Sequence, residues 1–231
     1  MDELSEKCTC AECHMRTLFF AHVSKDELQK VCSLKTEVAY GKGDVIVKEG
    51  DKIGGFLYLQ KGLLKLSRKT SDGRDQILCI SKPFDFVSLL SVFSASEFNY
   101  SVTAISDSLT CVLDFNMVKD LVKENGSFAL DLIQKLSETS DQIILNSLEI
   151  KRKHLHGRVA HVLLFFSDDI YKSAVFELPL SRKEIAEYIG MTTENVIRTL
   201  SEFRKDGIIG IEGKRITIID SDRLHSISEH G

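Results

Sequence analysis

The spacing of hydrophobic positions changes along the chain, and each change predicts a different kind of element. Between Ser24 and Leu34, Leu28, Val31 and Cys32 share one helical face. Ser24 with Glu27 three residues later forms a capping box, so a short helix is expected. From Ala39 to about Phe115 the pattern shortens to runs that alternate or are rich in β-branched residues. These are Asp44–Lys48, Gly55–Leu59, Leu63–Leu66, Gln76–Ile80, Tyr100–Ala104 and Thr110–Asp114. Turn signals such as Glu49-Gly50-Asp51, Lys61-Gly62 and Ser71-Asp72-Gly73 separate them. Many short strands with frequent glycine turns predict an antiparallel sandwich or barrel.

Helical periodicity returns at Asn116–Asn125 and then runs from Ser127 to about Lys153 without Gly or Pro. Leu132, Leu136, Thr139, Ile143, Asn146 and Ile150 recur at alternating spacings of four and three. That is a coiled-coil seam, and it predicts pairing with a second copy of the chain. A surface helix packed on its own domain is the plainer alternative; the length of the stretch favours pairing. Gly157–Asp169 reads as another helix and Val175–Leu180 as a strand.

The last stretch is the most specific. Ser181-Arg182-Lys183-Glu184 is a capping box, followed by an inner stripe of Ile185, Ala186 and Ile189. Gly190 suits the left-handed position that ends a helix. Thr192 then caps a second helix with an inner stripe of Val196, Leu200 and Phe203, closed by Gly207. Two short helices joined by a glycine-containing turn predict a helix-turn-helix. Ile208–Glu212 and Arg215–Ile219 alternate around Gly213-Lys214, the signature of a β-hairpin wing. With the stripe inward, Thr193, Glu194, Ile197 and Arg198 point the other way, in the turns that reach base edges when such a helix enters a major groove. Arg donates two hydrogen bonds to guanine and Glu accepts from cytosine. Glu194, four residues before Arg198, can also hold the guanidinium in place. A simple surface ion pair would contribute only ~0.3–0.5 kcal/mol and no function. Ser181, Arg182, Lys183, Thr192, Lys214 and Arg215 flank this surface and are the candidate contacts to the DNA backbone.

Composition adds limits. The net charge is −4 over 231 residues, so the chain has no global basic excess. From Lys151 onward there are 13 Lys+Arg against 12 Asp+Glu, so the asymmetry decides little. The acidic N-terminus lacks the features of a signal peptide, and the longest apolar run, Val162–Phe166, is far short of the ~20 residues that span a bilayer. A cytoplasmic protein without membrane association is expected, with its six cysteines as thiols, metal ligands or redox sensors. No nucleophile–base triad, paired carboxylates or phosphate loop stands out, so an enzyme is not expected.

Several segments together resemble the CRP/FNR family of bacterial transcription regulators over nearly the whole chain. They are Gly43-Asp44-Val45-Ile46-Val47-Lys48-Glu49-Gly50-Asp51, Leu57–Lys65, Arg182–Gly190 and Gly213–Ile218. The resemblance implies an α+β fold: an N-terminal β-roll (jelly-roll, cyclic-nucleotide-binding-like), a long dimerisation helix and a C-terminal winged helix-turn-helix. The corresponding boundaries are a cysteine-rich segment at 1–16, the effector domain at 17–125, the dimer helix at 126–154 and the DNA-binding domain at 155–231. It also implies a homodimer that binds double-stranded DNA and works with RNA polymerase. Glu194 and Arg198 match the positions that read a TGA-type core in each half of a palindrome. Ile197 stands where the family usually has Gly or Ser, and Thr193 where CRP-like members have Arg. An apolar Ile197 suits a thymine methyl. The alternative is a small-ligand-binding regulatory module without direct DNA function.

For the signal, two resemblances compete. CRP-like members bind cyclic AMP through an acidic residue and an Arg in the roll. Here Ser88 and Tyr100 stand in those places, which removes the bidentate phosphate contact, so cyclic AMP is not expected. FNR-like members hold an iron–sulfur cluster with an N-terminal cysteine group and one cysteine in a late strand. Cys8, Cys10 and Cys13, with Cys111 downstream, resemble that set, although the C-x-C-x2-C spacing is tighter than the family pattern. Four thiolates suit a cluster or tetrahedral zinc. Thiol redox sensing, or ordinary buried and exposed thiols, remain open beside it. His154, His156 and His161 gather near the interdomain hinge, as a metal site or as solvated surface.

Overall fold

The computed structural model describes residues 22–94 and 96–231. These form two compact units. Among the described residues, one is built from 22–64 together with Ser81–Asp141, the other from Lys65–Ile80 together with Gln142–Gly231. The 65–80 hairpin and the second half of the long helix thus group with the C-terminal segment. Among the described residues no helix is long and apolar enough to cross a membrane.

The first unit begins with α1 (Lys25–Ser33), which carries the expected capping box between Ser24 and Glu27. A three-stranded antiparallel sheet follows in the order β1 (Thr36–Tyr40), β7 (Ser108–Asp114), β3 (Gly55–Lys61). Strand β2 (Val45–Val47) pairs with β6 (Ser101–Ala104) across a register shift. At Gly62 the chain turns with φ 91°, and an added Cβ would collide with Asp107 O and Ser108, so only glycine fits. Helix α2 (Leu89–Val92) is short, and α3 (Phe115–Glu124) is capped by the Asp114 carboxylate, which accepts from Met117 N at 2.8 Å. The core gathers Leu28 and Val31 of α1, Phe56 and Tyr58 of β3, Leu113 of β7 and Val118 and Leu121 of α3. Strand β1 escapes the sequence pattern. It is an edge strand with charged Glu37, half-buried at most, so its alternation is weak.

The long helix α4 (Gly126–Arg152) has the expected extent. Phe128 and Leu132 are buried in the first unit's core and Leu136 packs against it. In the second unit Ile150 is buried, and the Asn146 amide is occupied at both ends. Its Nδ2 donates to Tyr188 Oη at 2.7 Å, and its Oδ1 lies 3.0 Å from His161 Nε2. Thr139 donates its hydroxyl to Lys135 O, and Ile143 is half-buried. Of these seam positions Leu132 and Ile150 are buried within the chain, and Leu136, Thr139, Ile143 and Asn146 are half-buried. The side chains left outside are Leu130, Ile133, Ile144, Leu145 and Leu148, each 55–68% exposed. The physical reason is that this helix serves two cores as well as its outer surface, so several apolar stripes overlap in one sequence.

The second unit contains the hairpin of β4 (Leu64–Lys69) and β5 (Asp75–Ser81) except for its end residues Leu64 and Ser81. After α4 come α5 (Leu155–Leu164) and a π-helical segment, Phe165–Tyr171, ending at Lys172 with φ 48°. The wide turn brings residues five apart together. Phe166 and Tyr171 have ring centroids 6.3 Å apart, and Tyr171 stacks on Phe176 at 5.5 Å. Strand β8 (Val175–Glu177) joins the wing strands in the order β8–β10–β9, with β9 at Ile209–Glu212 and β10 at Arg215–Ile218. Helices α6 (Arg182–Ile189), α7 (Thr193–Lys205) and α8 (Ser221–His230) complete the unit.

His161 carries a pH consequence. Burial first, then the Lys153 ammonium, push its imidazole below its usual 6.5, while Glu149 and Asp169 act the other way. The folded state therefore favours the neutral ring. Its contribution to stability is complete above pH 6.5 and is lost as pH falls below that value towards the folded pKa. Thermal melts at pH 7.5 and 5.5 are expected to show a larger acid-side drop for the wild type than for His161→Gln, which keeps a donor for Asn146 without the titration. Equal drops would remove His161 as the cause.

Candidate nucleic-acid interface

Helices α6 and α7 meet through a turn at Gly190, whose φ of 67° ends α6. At the start of α6 the Ser181 hydroxyl accepts from Glu184 N and the Glu184 carboxylate accepts from Ser181 N at 2.8 Å, closing the capping box. At the start of α7 the Thr192 hydroxyl accepts from Asn195 N at 3.3 Å. Inward, Ile185, Ala186 and Ile189 of α6 and Val196, Leu200 and Phe203 of α7 are buried. The two apolar stripes lock the helices together, and the remaining side of α7 faces away from them.

That side carries the expected reading residues. Glu194 and Arg198 are exposed, Thr193 is half-exposed, and Ile197 is 50% exposed, a large apolar side chain with no core to enter. The Glu194 carboxyl is held below the usual carboxylate range by its own backbone N–H at the helix N-terminus and by the Thr192 hydroxyl. It is therefore an ionised acceptor. Among the described residues it does not restrain Arg198, contrary to the role its spacing suggested. The Arg198 guanidinium instead lies 3.3 Å from Asn195 Oδ1 through Nη2 and 3.9 Å from Glu202 Oε1 through Nε.

The flanking cations are distributed around this surface. Arg182, in the first turn of α6, is half-buried, and burial lowers its pKa. It has no hydrogen-bond or ion-pair partner among the described residues. Lys183 pairs at 3.5 Å with Glu187 and remains 74% exposed. Lys214 sits in the wing turn and Arg215 opens β10, both exposed. Burial and hydrogen bonding could not be read from the sequence for Asn195 and Glu202, which the pattern passed over; only their i−3 and i+4 positions relative to Arg198 hinted at contact.

The candidate sensing residues are scattered. Ser88 is fully buried and its hydroxyl accepts from Leu57 N at 2.9 Å, while Tyr100 donates to Val87 O at 2.9 Å. Both positions are thus occupied by neutral side chains bonded within the unit. Cys8, Cys10 and Cys13 lie outside the described residues. Cys111 is buried within the same apolar cluster as Leu28 and Val31. Among the described residues no three His, Cys, Asp or Glu side chains are grouped to hold a metal. The hinge histidines take separate partners, His156 at 2.7 Å from Glu202 and His161 at 3.0 Å from Asn146.

Comparison with known proteins matches both halves of this architecture. Residues 37–125 match the cyclic nucleotide-binding domain model, and residues 157–227 match the Crp-like helix-turn-helix domain model. The chain belongs to the CRP/FNR family. Among curated relatives of this family, it is 27% identical to the transcriptional activator protein FnrL of Cereibacter sphaeroides, over 96% of this chain and 92% of that one. It is 26% identical to the electron transport regulator A of Shewanella oneidensis, over 95% and 90%. Among solved structures, FixK2 from Bradyrhizobium japonicum is 26% identical with a TM-score of 0.74, covering 84% of this chain and 96% of that one. As a CRP/FNR regulator, the chain is a DNA-binding transcription regulator controlled at its N-terminal domain.

Proposed function

We propose that the regulator acts as a homodimer that reads a palindrome with TGA-type half-sites, one recognition helix per half-site. The observation that carries this reading is the outward pair Glu194 and Arg198 in the first turns of α7, beside the unpartnered Arg182. In a major groove Arg198 donates to guanine O6 and N7, Glu194 accepts from cytosine N4, and Ile197 meets a thymine methyl. Arg182, Lys183, Lys214 and Arg215 neutralise phosphates, Ser181 and Thr192 present helix-terminal groups to them, and Thr193 stands at the edge of the reading surface. Half-sites about one helical turn apart then mirror the two-fold axis of the protein. The exposed stripe Leu130, Ile133, Ile144, Leu145 and Leu148 supports pairing of the long helices through this outer face. A gel-shift titration on a TGA(N6)TCA-type palindrome tests the reading: specific retardation that survives competitor DNA is expected, and equal affinity for a scrambled duplex would overturn it.

Control acts on the geometry of the two DNA-binding domains, because an effector must bind the two arrangements with different affinity to shift them. Ser88 and Tyr100, both occupied within the roll, argue against cyclic AMP as that effector. A thiol-based signal is the second reading. It is favoured by the placement of Cys111 in one buried cluster with α1, the helix that follows the cysteine-rich segment. Cys8, Cys10, Cys13 and Cys111 would hold an iron–sulfur cluster or zinc. Absorption spectra and metal analysis after anaerobic purification decide it: colourless, metal-free protein that still binds the palindrome excludes both. Contact with RNA polymerase follows from the family as a further part of this proposal.

A further inference from the structure

We infer that Glu202 and His156 are positioning residues for base recognition: they fix the guanidinium of Arg198 and thereby sharpen discrimination at the base it reads. The inference rests on the reading of Arg198 as the guanine contact. Arg198 is 63% exposed, and an arginine so placed has many rotamers to lose when it docks. One hydrogen bond and one ion-pair contact formed before DNA arrives reduce that cost. One comes from Asn195 Oδ1 at 3.3 Å, on the turn before. The other is Glu202 Oε1, one turn after, 3.9 Å from Nε. Both lie along the same side of α7, and they leave Nη1 without a protein partner among the described residues.

A glutamate on a helix surface is itself mobile, so it could not position a neighbour unless something held it. His156 does so. Its Nε2 lies 2.7 Å from Glu202 Oε2, the oxygen that does not face Arg198. A carboxylate can only accept, so this ring nitrogen carries the proton. The imidazole is backed in turn by Phe203, with ring centroids 5.9 Å apart, and Phe203 is buried in the domain core. Because His156 stands in the first turn of α5, directly after the end of the long helix, the line of contacts runs from the hinge to the reading surface: His156, Glu202, Arg198. The carboxylate lies on the side of Arg198 away from the N-terminal turns of α7, so it orients the guanidinium without competing for the base.

The test is base discrimination rather than affinity. The full-length protein is titrated by gel shift on the TGA(N6)TCA duplex and on one with the guanine of each half-site replaced by adenine. For Glu202→Ala the ratio of the two affinities is expected to fall by about fivefold relative to wild type, with unchanged thermal stability. His156→Ala is expected to lower it in the same direction, and Glu202→Gln, which keeps an acceptor, to restore part of it. A Glu202→Ala protein that binds both duplexes more tightly by the same factor, with the ratio intact, would show that the carboxylate acts only as a repelling charge and would overturn the inference. Arg198→Ala separates the two levels. If it flattens the ratio while Glu202→Ala does not, only the positioning role fails; if Arg198→Ala leaves the ratio intact, the reading beneath it fails.

Discussion

Replacing Arg198 with alanine is expected to weaken binding to a TGA-containing palindrome by roughly 30-fold or more, while leaving binding to unrelated DNA nearly unchanged. Each bidentate base contact contributes about 1–3 kcal/mol of discrimination, and a dimer on a palindrome makes it twice. The side chain is exposed and borders no core, so its removal leaves the fold intact. The variant should therefore melt like wild type, and its salt dependence should be close to wild type, because the phosphate contacts come from other residues. Arg182→Ala should show the opposite signature: a similar loss on every sequence and a shallower salt slope. If Arg198→Ala bound the palindrome as well as wild type, the assigned reading role would be wrong.

The second large effect concerns the long helix. The double variant Ile144→Glu with Leu148→Glu is expected to shift sedimentation from dimer to monomer and to weaken palindrome binding by at least about 100-fold, with melting temperature per monomer little changed. Burying an isoleucine or leucine side chain is worth about 1.5–3 kcal/mol, and each copy would contribute two of them to the interface. Both side chains are more than half exposed, so their loss costs the monomer little. Leu132→Ala makes the contrast. Leu132 is buried in the N-terminal core, and its truncation should cost about 2–5 kcal/mol of fold stability. A monomeric Leu132→Ala that melts like wild type, beside a dimeric Ile144→Glu/Leu148→Glu protein, would return the interface to the face first expected.

These two outcomes also mark how far the sequence could be read. The outward face of α7 was legible residue by residue, because a helix-turn-helix is a local structure. Gly190, the caps at Ser181 and Thr192, and the stripe Val196–Leu200–Phe203 all lie within a few turns of the residues they orient. Once the stripe is inward, the outward position of Glu194, Ile197 and Arg198 follows from helix geometry alone. The restraint on Arg198 was not legible in the same way. Glu194 and Glu202 stand at equal spacing on either side of it, and sequence spacing cannot choose between them. The choice is made by His156, 46 positions from Glu202 in the chain, and by the helix N-terminus, which keeps Glu194 for itself.

What the sequence by itself determined is the order of elements, the family and the outward face of the recognition helix, because each rests on short-range periodicity, capping and glycine turns. Only the tertiary structure decided which side chains of α4 are buried within the chain. Apolar residues at heptad spacing satisfy a partner helix and an intramolecular core equally well, since hydrophobic burial has no direction of its own. Leu132 and Ile150 found cores within their own chain, and Leu130, Ile133, Ile144, Leu145 and Leu148 were left facing outward.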